Sequence, residues 1–205
     1  MKREKIKKLP NRITMLRIIL TIGFIPAVLS QDMIMSYVAL FIFIAASFSD
    51  WLDGYLARKY ELISNFGKIM DPLADKILVF SALLCFIQLN IVPAWMVIII
   101  VSRDFLISGM RIIAAQEGKI IMASTSGKIK TLIEMAAILG MLVLICVNAT
   151  LNYYGHDPGE FRGINIGLYM MSLVPYWLMF IAAAAALISG LEYFFKNTAL
   201  FRDDI

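Results

Sequence analysis

Four aspartates within 26 residues give this sequence its most evident capacity for chemistry. They lie in the stretch SDWLDGYLARKYELISNFGKIMDPLADK as a first pair, Asp50 and Asp53, and a second pair, Asp71 and Asp75. Residues three or four apart share one side of a helix, at angles of about 60° and 40°. Each pair therefore offers two carboxylates to one neighbour, an arrangement suited to binding divalent cations or accepting a proton.

The aspartates follow the apolar run YVALFIFIAASF, and most of the chain shares this apolar character. The 205 residues are 60% hydrophobic and 17% charged, whereas soluble domains are roughly 45–50% apolar and about 25% charged. Because about 20 apolar residues cross a bilayer as a helix, six stretches qualify as transmembrane spans. These are residues 13–30, 34–57, 71–91, 93–115, 129–150 and 166–195.

The predicted fold class is all-α, a polytopic membrane protein with six transmembrane helices around a cytoplasmic-facing polar cavity. We expect a single membrane domain, residues 1–205, that begins with a basic cytoplasmic arm, residues 1–12. The sixth span would be about 45 Å long at 1.5 Å per residue, longer than the hydrocarbon core of about 30 Å. It must tilt, overhang the bilayer or bend, and Pro175 is the expected position of a bend.

Lysine and arginine residues predict the orientation of these spans. If six spans alternate, eighteen of the 19 basic residues fall on the side of both termini, and only Arg162 falls opposite. The positive-inside rule makes the first side the cytoplasm, and the aspartates lie towards it. An all-membrane chain without a targeting presequence suits a bacterial inner membrane. We expect the basic face to attract anionic lipids and phosphorylated substrates, not nucleic acid.

Burying four carboxylates in a membrane is energetically expensive. One aspartate at a helix centre costs about 2.5–3.5 kcal/mol, so four cost up to roughly 10–14 kcal/mol. Arg58 and Lys76 offer two compensating charges, whereas two divalent cations offer four. The arrangement therefore predicts a site for two Mg²⁺ or Mn²⁺ ions, which take oxygen ligands and in pairs activate phosphoryl groups.

Individual aspartates also have simpler explanations. Asp71 before Pro72 fits an N-cap followed by proline at the first helical position. Asp50 could pair with Arg58, and Asp75 could face a basic neighbour. None of these explanations accounts for all four acids at once.

The spacing of small and charged residues around the aspartates resembles the signature of the CDP-alcohol phosphotransferases. The matching pattern is Asp50-x-x-Asp53-Gly54-x-x-Ala57-Arg58, then eight residues, then Gly67-x-x-x-Asp71-x-x-x-Asp75. All of its eight specified residues are present. The resemblance implies a homodimeric six-helix membrane enzyme that moves a substituted phosphate from a CDP-linked donor to an alcohol and releases CMP.

The resemblance also implies roles for individual residues. The four aspartates would hold the two cations, and Asp75 would in addition be the base that deprotonates the acceptor hydroxyl. The N-terminal stretch PNRITMLR resembles a shorter family element near the CDP moiety. Contacts to the CDP donor are assigned to Asn11, Thr14, Gly54, Ala57, Arg58, Ser64 and Gly67.

Two further stretches, SRDFLISGMR and SGKIKT, resemble members of the family that use a phosphorylated acceptor, and predict CDP-diacylglycerol as donor and sn-glycerol 3-phosphate as acceptor. Inositol phosphate remains an alternative acceptor. The acceptor phosphate would be bound by Arg103, Arg111, Lys128 and Lys130.

Arg103 raises a separate expectation because it lies about 15 Å into its span. At that depth it needs an anionic partner. The adjacent Asp104 is not expected to be that partner, because neighbouring helical residues do not face each other.

Other classes of membrane protein remain open on the residues alone. Membrane prenyltransferases also bind a Mg²⁺-diphosphate through paired aspartate motifs, but they do not require the glycine, alanine and arginine of this pattern. Ion-coupled transporters carry intramembrane acids, usually with internal repeats, and no repeat is evident here. A purely structural protein would explain small residues such as Gly163 and Gly167, but not the acids. Cys85 and Cys146 are interpreted as packing residues within apolar spans.

Overall fold

The described chain is almost entirely helical. A computed structural model describes residues 9–60, 65–116, 124–155, 160–161 and 164–196, with side chains for 14–49, 76–114, 124–155 and 172–196. Six helices follow one another along the sequence: α1 (Leu9–Leu29), α2 (Met33–Tyr60), α3 (Asn65–Gln88), α4 (Ala94–Gln116), α5 (Thr125–Tyr153) and α6 (Ile166–Lys196). Each predicted span coincides with one helix, so the all-α class and the number of helices are confirmed. The polar cavity that these helices were expected to surround stays a prediction.

A short antiparallel pair of strands before α6 was not predicted. Strand β1 is Glu160–Phe161 and strand β2 is Ile164–Asn165. Glu160 pairs with Asn165 and Phe161 with Ile164. Two residues per strand are too few to give an alternating apolar pattern, so the sequence offered no strand signal here.

Two helices begin at side chains that cap their free N–H groups. The Asp32 Oδ2 atom accepts hydrogen bonds from the backbone N–H groups of Ile34 (3.1 Å) and Met35 (3.4 Å) at the start of α2. At the start of α5, the Ser124 Oγ atom accepts one from the N–H of Gly127 (3.1 Å). Aspartate and serine are favoured at this position because their short side chains reach the second and third helical N–H groups.

The start of α3 changes the interpretation of one aspartate. The helix begins at Asn65, six residues before Asp71, so Asp71 lies in the second turn and is not an N-cap. The predicted span began at residue 71 because hydropathy detects only the apolar part of a helix, whereas the polar first turns are helical as well. The N-cap explanation of Asp71 is therefore wrong.

The first of two packing units comprises the described residues of Met1–Leu89 and Leu142–Gly159. Within it, α1 packs against both α2 and α3. Phe24 of α1 and Phe43 of α2 are fully buried, with ring centroids 5.9 Å apart. The Tyr37 hydroxyl shares a hydrogen bond of 3.2 Å with the Thr150 hydroxyl, which joins the end of α5 to α2.

The second packing unit comprises the described residues of Asn90–Met141 and Glu160–Ile205. Helix α4 packs against α6, with Ile107, Met110 and Tyr193 forming a buried cluster. Helix α6 continues as one helix through Pro175. The bend expected at this residue stays a prediction. Both units belong to one chain that shares α5 between them, and the single domain remains a prediction.

The outward faces of the helices carry large apolar side chains. Each of the six helices contributes at least one that is more than half exposed: Ile22, Phe41, Leu84, Leu106, Leu132 and Ile188. Such a surface suits lipid, since soluble monomers rarely expose extended apolar patches. By length and composition, Thr125–Tyr153 and Ser172–Lys196 could each cross a membrane, and three shorter apolar helical segments occur in the other described parts. These features are consistent with a helical membrane protein.

We expect Phe24→Ala to destabilise the first unit, because it removes a fully buried ring and its contact with Phe43. In lipid the unfolded helices are also in an apolar solvent, so the loss comes from packing and the cavity, about 1–3 kcal/mol. Unfolding in mixed micelles would measure it. The matched variant Ile22→Ala removes an exposed side chain of the same helix and should change stability little. Equal effects would contradict the packing described for α1.

Candidate functional site

The helix bounds place the four aspartates in two pairs, each pair at similar distances from the connected ends of α2 and α3. Counting from the ends at Tyr60 and Asn65, Asp53 and Asp71 lie seven and six residues along their helices, about 9–11 Å at 1.5 Å per residue. Asp50 and Asp75 each lie ten residues along, about 15 Å. Because α2 and α3 pack against each other, the backbone brings two acids of each helix to matching levels.

A buried stripe of α1 changes from polar to apolar along the helix. Thr14, Arg17 and Thr21 are 1–2% exposed, and Phe24 and Val28 continue the stripe with no exposed surface. The Thr21 hydroxyl donates to the Arg17 backbone carbonyl (2.9 Å). Since α1 packs against α2 and α3, the two helices that carry the acids are also the packing partners of α1.

Arg17 is a functional candidate that sequence reasoning missed. It lies eight residues from the start of α1, about 12 Å along the axis. A nearly fully buried arginine is costly unless anionic groups balance it. The sequence feature that could have predicted its burial is its spacing of three residues from Thr14 and four from Thr21, which puts all three side chains on one face of the helix.

The first unit fits divalent cations by donor chemistry and by placement. Carboxylate oxygens are the ligands that Mg²⁺ and Mn²⁺ prefer, and the backbone brings four of them to similar heights. Among the residues whose side chains are described, no three His, Cys, Asp or Glu residues group as metal ligands would. The four aspartates are not among those residues, so their role as ligands stays a prediction.

The predicted donor contacts have differing status. Thr14 is buried in the α1 stripe. The helix bounds place Asn11 on α1 and Gly67 on α3, and Ser64 lies outside the described residues. The remaining three, Gly54, Ala57 and Arg58, lie on the last turns of α2.

Four charged residues form an ion-pair network in the second unit, in which Lys130 and Glu134 are buried and Arg103 and Asp104 are partly exposed. The Lys130 ammonium donates to both carboxylate oxygens of Asp104, each at 2.8 Å, and to the Glu134 Oε2 atom at 2.8 Å. The Arg103 Nη1 atom donates to Asp104 Oδ1 at 2.9 Å, and its Nη2 atom to the Ser189 hydroxyl at 2.7 Å. Helices α4, α5 and α6 are thus joined through one aspartate and one arginine.

The expectation that Asp104 would not be the partner of Arg103 is wrong. Backbone positions one residue apart diverge by about 100°, but an arginine side chain is long enough for its guanidinium to curl back to the neighbouring carboxylate. Glu134 was also missed. Its signal was its place four residues after Lys130, the spacing at which helical ion pairs form.

Two glycines leave room for the Arg103 side chain. A Cβ atom at Gly190 of α6 would lie 3.0 Å from Arg103 Cγ, and one at Gly127 of α5 would lie 3.3 Å from Arg103 Nη2. Both distances are shorter than ordinary van der Waals contact. The arginine therefore lies closely against the backbone of two helices.

The four predicted acceptor-binding bases differ in accessibility. Arg111 and Lys128 are exposed. Arg111 donates from Nε to the Tyr193 hydroxyl (3.3 Å) and lies with its guanidinium carbon 5.7 Å from the centroid of that ring. The side chain of Arg103 is 13% exposed and that of Lys130 1%. Because Arg111 and Lys128 are exposed, an incoming anion can contact these two residues directly.

Comparison with known proteins identifies the family. The sequence matches the model of the CDP-alcohol phosphatidyltransferases over residues 7–188, which is most of the chain. The chain belongs to this family. The resemblance inferred from the aspartate signature is thereby confirmed, and members of this family are generally dependent on divalent cations.

Several proteins similar to this chain carry the name CDP-diacylglycerol--glycerol-3-phosphate 3-phosphatidyltransferase. The protein of Bacillus subtilis (strain 168) is 36% identical over 201 residues. Those of Rickettsia bellii (strain RML369-C) and Rickettsia felis (strain ATCC VR-1525 / URRWXCal2) are 35% and 31% identical over 192 and 188 residues. Each comparison covers 92% of this chain and 94% of the relative.

We expect Gly190→Ala to be less stable than Gly109→Ala by about 1–2 kcal/mol. The new methyl group at position 190 would press on Arg103 Cγ, and Arg103 cannot move freely because Asp104 and Ser189 hold it. Position 109 of α4 has no such neighbour within 4 Å, so alanine there should only add helix propensity. Thermal unfolding in detergent would measure the difference, and equal stability of the two variants would contradict the close packing of Arg103.

Proposed function

We propose that this chain transfers the phosphatidyl group of CDP-diacylglycerol to sn-glycerol 3-phosphate and releases CMP and phosphatidylglycerol phosphate. The observation that carries the proposal is the quartet of aspartates at matching heights on α2 and α3, within the family signature. The names of the relatives from Bacillus and Rickettsia support the choice of donor and acceptor.

The donor site is assigned to the first unit. Two Mg²⁺ or Mn²⁺ ions bound by Asp50, Asp53, Asp71 and Asp75 would neutralise and polarise the diphosphate. Gly54, Ala57 and Gly67 carry little or no side chain, which lets a diphosphate and a flat base approach the backbone. Asn11, Thr14, Arg58 and Ser64 are the proposed polar contacts to the CDP moiety.

Asp75 is the proposed general base. Its carboxylate accepts the proton of the acceptor 1-hydroxyl as that oxygen attacks the β-phosphorus of the donor. The bond from this phosphorus to the bridging oxygen breaks, and the electron pair leaves with CMP. The remaining contribution of the protein is positioning and stabilisation of the developing charge.

The acceptor phosphate is assigned to the basic residues of the second unit. Arg111 and Lys128 are exposed and can contact it directly, and the exposed edge of Arg103 can add a guanidinium donor. Lys130 completes the proposed set, although its three N–H groups are bound to carboxylates in this structure. A cluster of this kind favours an acceptor with a phosphate group over a neutral alcohol.

A panel of acceptors tests the proposal most directly. Purified protein would be given CDP-diacylglycerol and Mg²⁺ or Mn²⁺ with labelled glycerol 3-phosphate, inositol phosphate, inositol or serine. We expect labelled lipid and CMP only with glycerol 3-phosphate. If lipid product formed with inositol phosphate instead, inositol phosphate would replace glycerol 3-phosphate as the proposed acceptor. Absence of product with every alcohol would refute the transferase assignment.

We propose a bacterial inner membrane as the location, with six crossings, both termini on the cytoplasmic side and two copies per enzyme. The distribution of basic residues supports the orientation. The exposed apolar side chains of the helices support contact with membrane lipids. The family resemblance supports the homodimer.

We expect Asp75→Asn to abolish turnover while much donor binding remains. The amide cannot accept the hydroxyl proton, although its oxygen can still bind a cation. Rates of CMP release and binding of CDP-diacylglycerol would be measured together. Asp32→Asn is the matched control, because Asp32 caps α2 in a loop and asparagine caps equally well. Turnover of Asp75→Asn at the wild-type rate would refute the base assignment.

We expect Arg111→Ala to raise the apparent KM for glycerol 3-phosphate by about tenfold or more and the KM for CDP-diacylglycerol much less. A lost charge-assisted contact to phosphate is worth about 1.5–3 kcal/mol. Lys196→Ala removes another exposed base, one that pairs with Glu192 on α6, and should change neither constant. Equal changes in both KM values for Arg111→Ala would contradict the assignment of Arg111 to the acceptor site.

A further inference from the structure

We infer that Lys130 and Glu134 are positioning residues for the acceptor site, acting through Asp104 and Arg103 without contacting the acceptor. The inference rests on the proposed function, because it assumes that Arg103 faces the acceptor phosphate. It replaces direct phosphate binding by Lys130 with an indirect role, and it adds Glu134, which no sequence motif had marked.

The burial and hydrogen bonds of Lys130 argue against direct contact. Its side chain is 1% exposed. An ammonium group has three N–H donors, and those of Lys130 are taken by the two oxygens of Asp104 and by one oxygen of Glu134. A phosphate could reach this ammonium only by displacing a buried carboxylate.

Among the residues whose side chains the structure describes, the formal charges of the network balance. Arg103 and Lys130 supply two positive charges, and Asp104 and Glu134 supply two negative charges. In buried surroundings a charge without a counter-charge costs several kcal/mol, so the network is stable as a neutral set. Glu134 contributes one of the two negative charges. Without it, Asp104 would be the sole described carboxylate to balance the positive charges of Arg103 and Lys130.

Asp104 couples Lys130 to Arg103. Its carboxylate accepts hydrogen bonds from both bases, so the negative charge that Lys130 balances determines how strongly the same carboxylate holds Arg103. Ser189 holds the second terminal nitrogen of Arg103, and Gly127 and Gly190 lie against its side chain. The guanidinium is thereby held in one orientation, and 13% of the Arg103 side chain remains exposed to meet an anion.

Two variants separate positioning from direct contact. Lys130→Met leaves two carboxylates for one arginine, and this excess negative charge both attracts Arg103 and repels phosphate. We expect its KM for glycerol 3-phosphate to rise about tenfold or more, with the KM for CDP-diacylglycerol within about twofold of wild type. The double variant Lys130→Met/Glu134→Leu restores neutrality, and its KM for glycerol 3-phosphate should return to within about threefold of wild type.

The double variant keeps the test decisive even where the single variant does not fold, since apolar residues of similar volume replace buried ion pairs well. A folded double variant whose KM for glycerol 3-phosphate remains about tenfold raised would overturn the inference and favour direct contact by Lys130. A folded single variant with normal constants, or with lower thermal stability alone, would also overturn it.

The exposed pair of Glu192 and Lys196 provides a matched control. These two residues form an ion pair four residues apart on α6, as Lys130 and Glu134 do on α5. Lys196→Met and Lys196→Met/Glu192→Leu should leave both KM values unchanged. The wild-type protein separates the two hypotheses: if it makes no lipid product from glycerol 3-phosphate, the proposed function fails, whereas an active wild type with unresponsive variants rejects the positioning role alone.

Discussion

The balance of charge in an apolar environment is the constraint on which this molecule depends. Each buried ionic group needs a partner of opposite sign, since neither lipid nor packed side chains can solvate it. The second unit satisfies this requirement with its own residues, through Arg103, Asp104, Lys130 and Glu134. The first unit carries four aspartates on α2 and α3 and a nearly fully buried arginine, Arg17. Under the proposed function, divalent cations would balance the charge of these acids.

Under the proposed function, the donor residues belong to the first unit and the acceptor residues to the second. The acids and the small residues near them belong to the family signature. The bases of α4 and α5 lie outside that signature and differ in exposure, with Arg111 and Lys128 open and Lys130 enclosed. A change of acceptor within such a family would therefore be expected to alter the second unit while leaving the donor residues in place.

The sequence predicted the helices well because the length and apolarity of a span follow directly from the thickness of a bilayer. The matching distances of the aspartates from the ends of α2 and α3 followed from the spacing of residues on helices. Helix ends were less predictable. Helix α3 starts at Asn65, and its polar first turn carries no hydropathy signal, so Asp71 was open to interpretation as an N-cap.

Side-chain partners in the second unit were the least predictable. Whether Arg103 pairs with Asp104 depends on the path of a long flexible side chain, and periodicity describes only where that side chain leaves the backbone. The burial of Lys130 depends on three helices meeting, which no local pattern reports. Arg17 had a local signal in its spacing from Thr14 and Thr21, but its burial became evident only when α1 was seen to pack against two helices.

The glycines beside Arg103 carry an evolutionary consequence. With so little space at positions 127 and 190, a side chain added at either would press on Arg103 and favour a compensating change there. These three positions should consequently be inherited as a set.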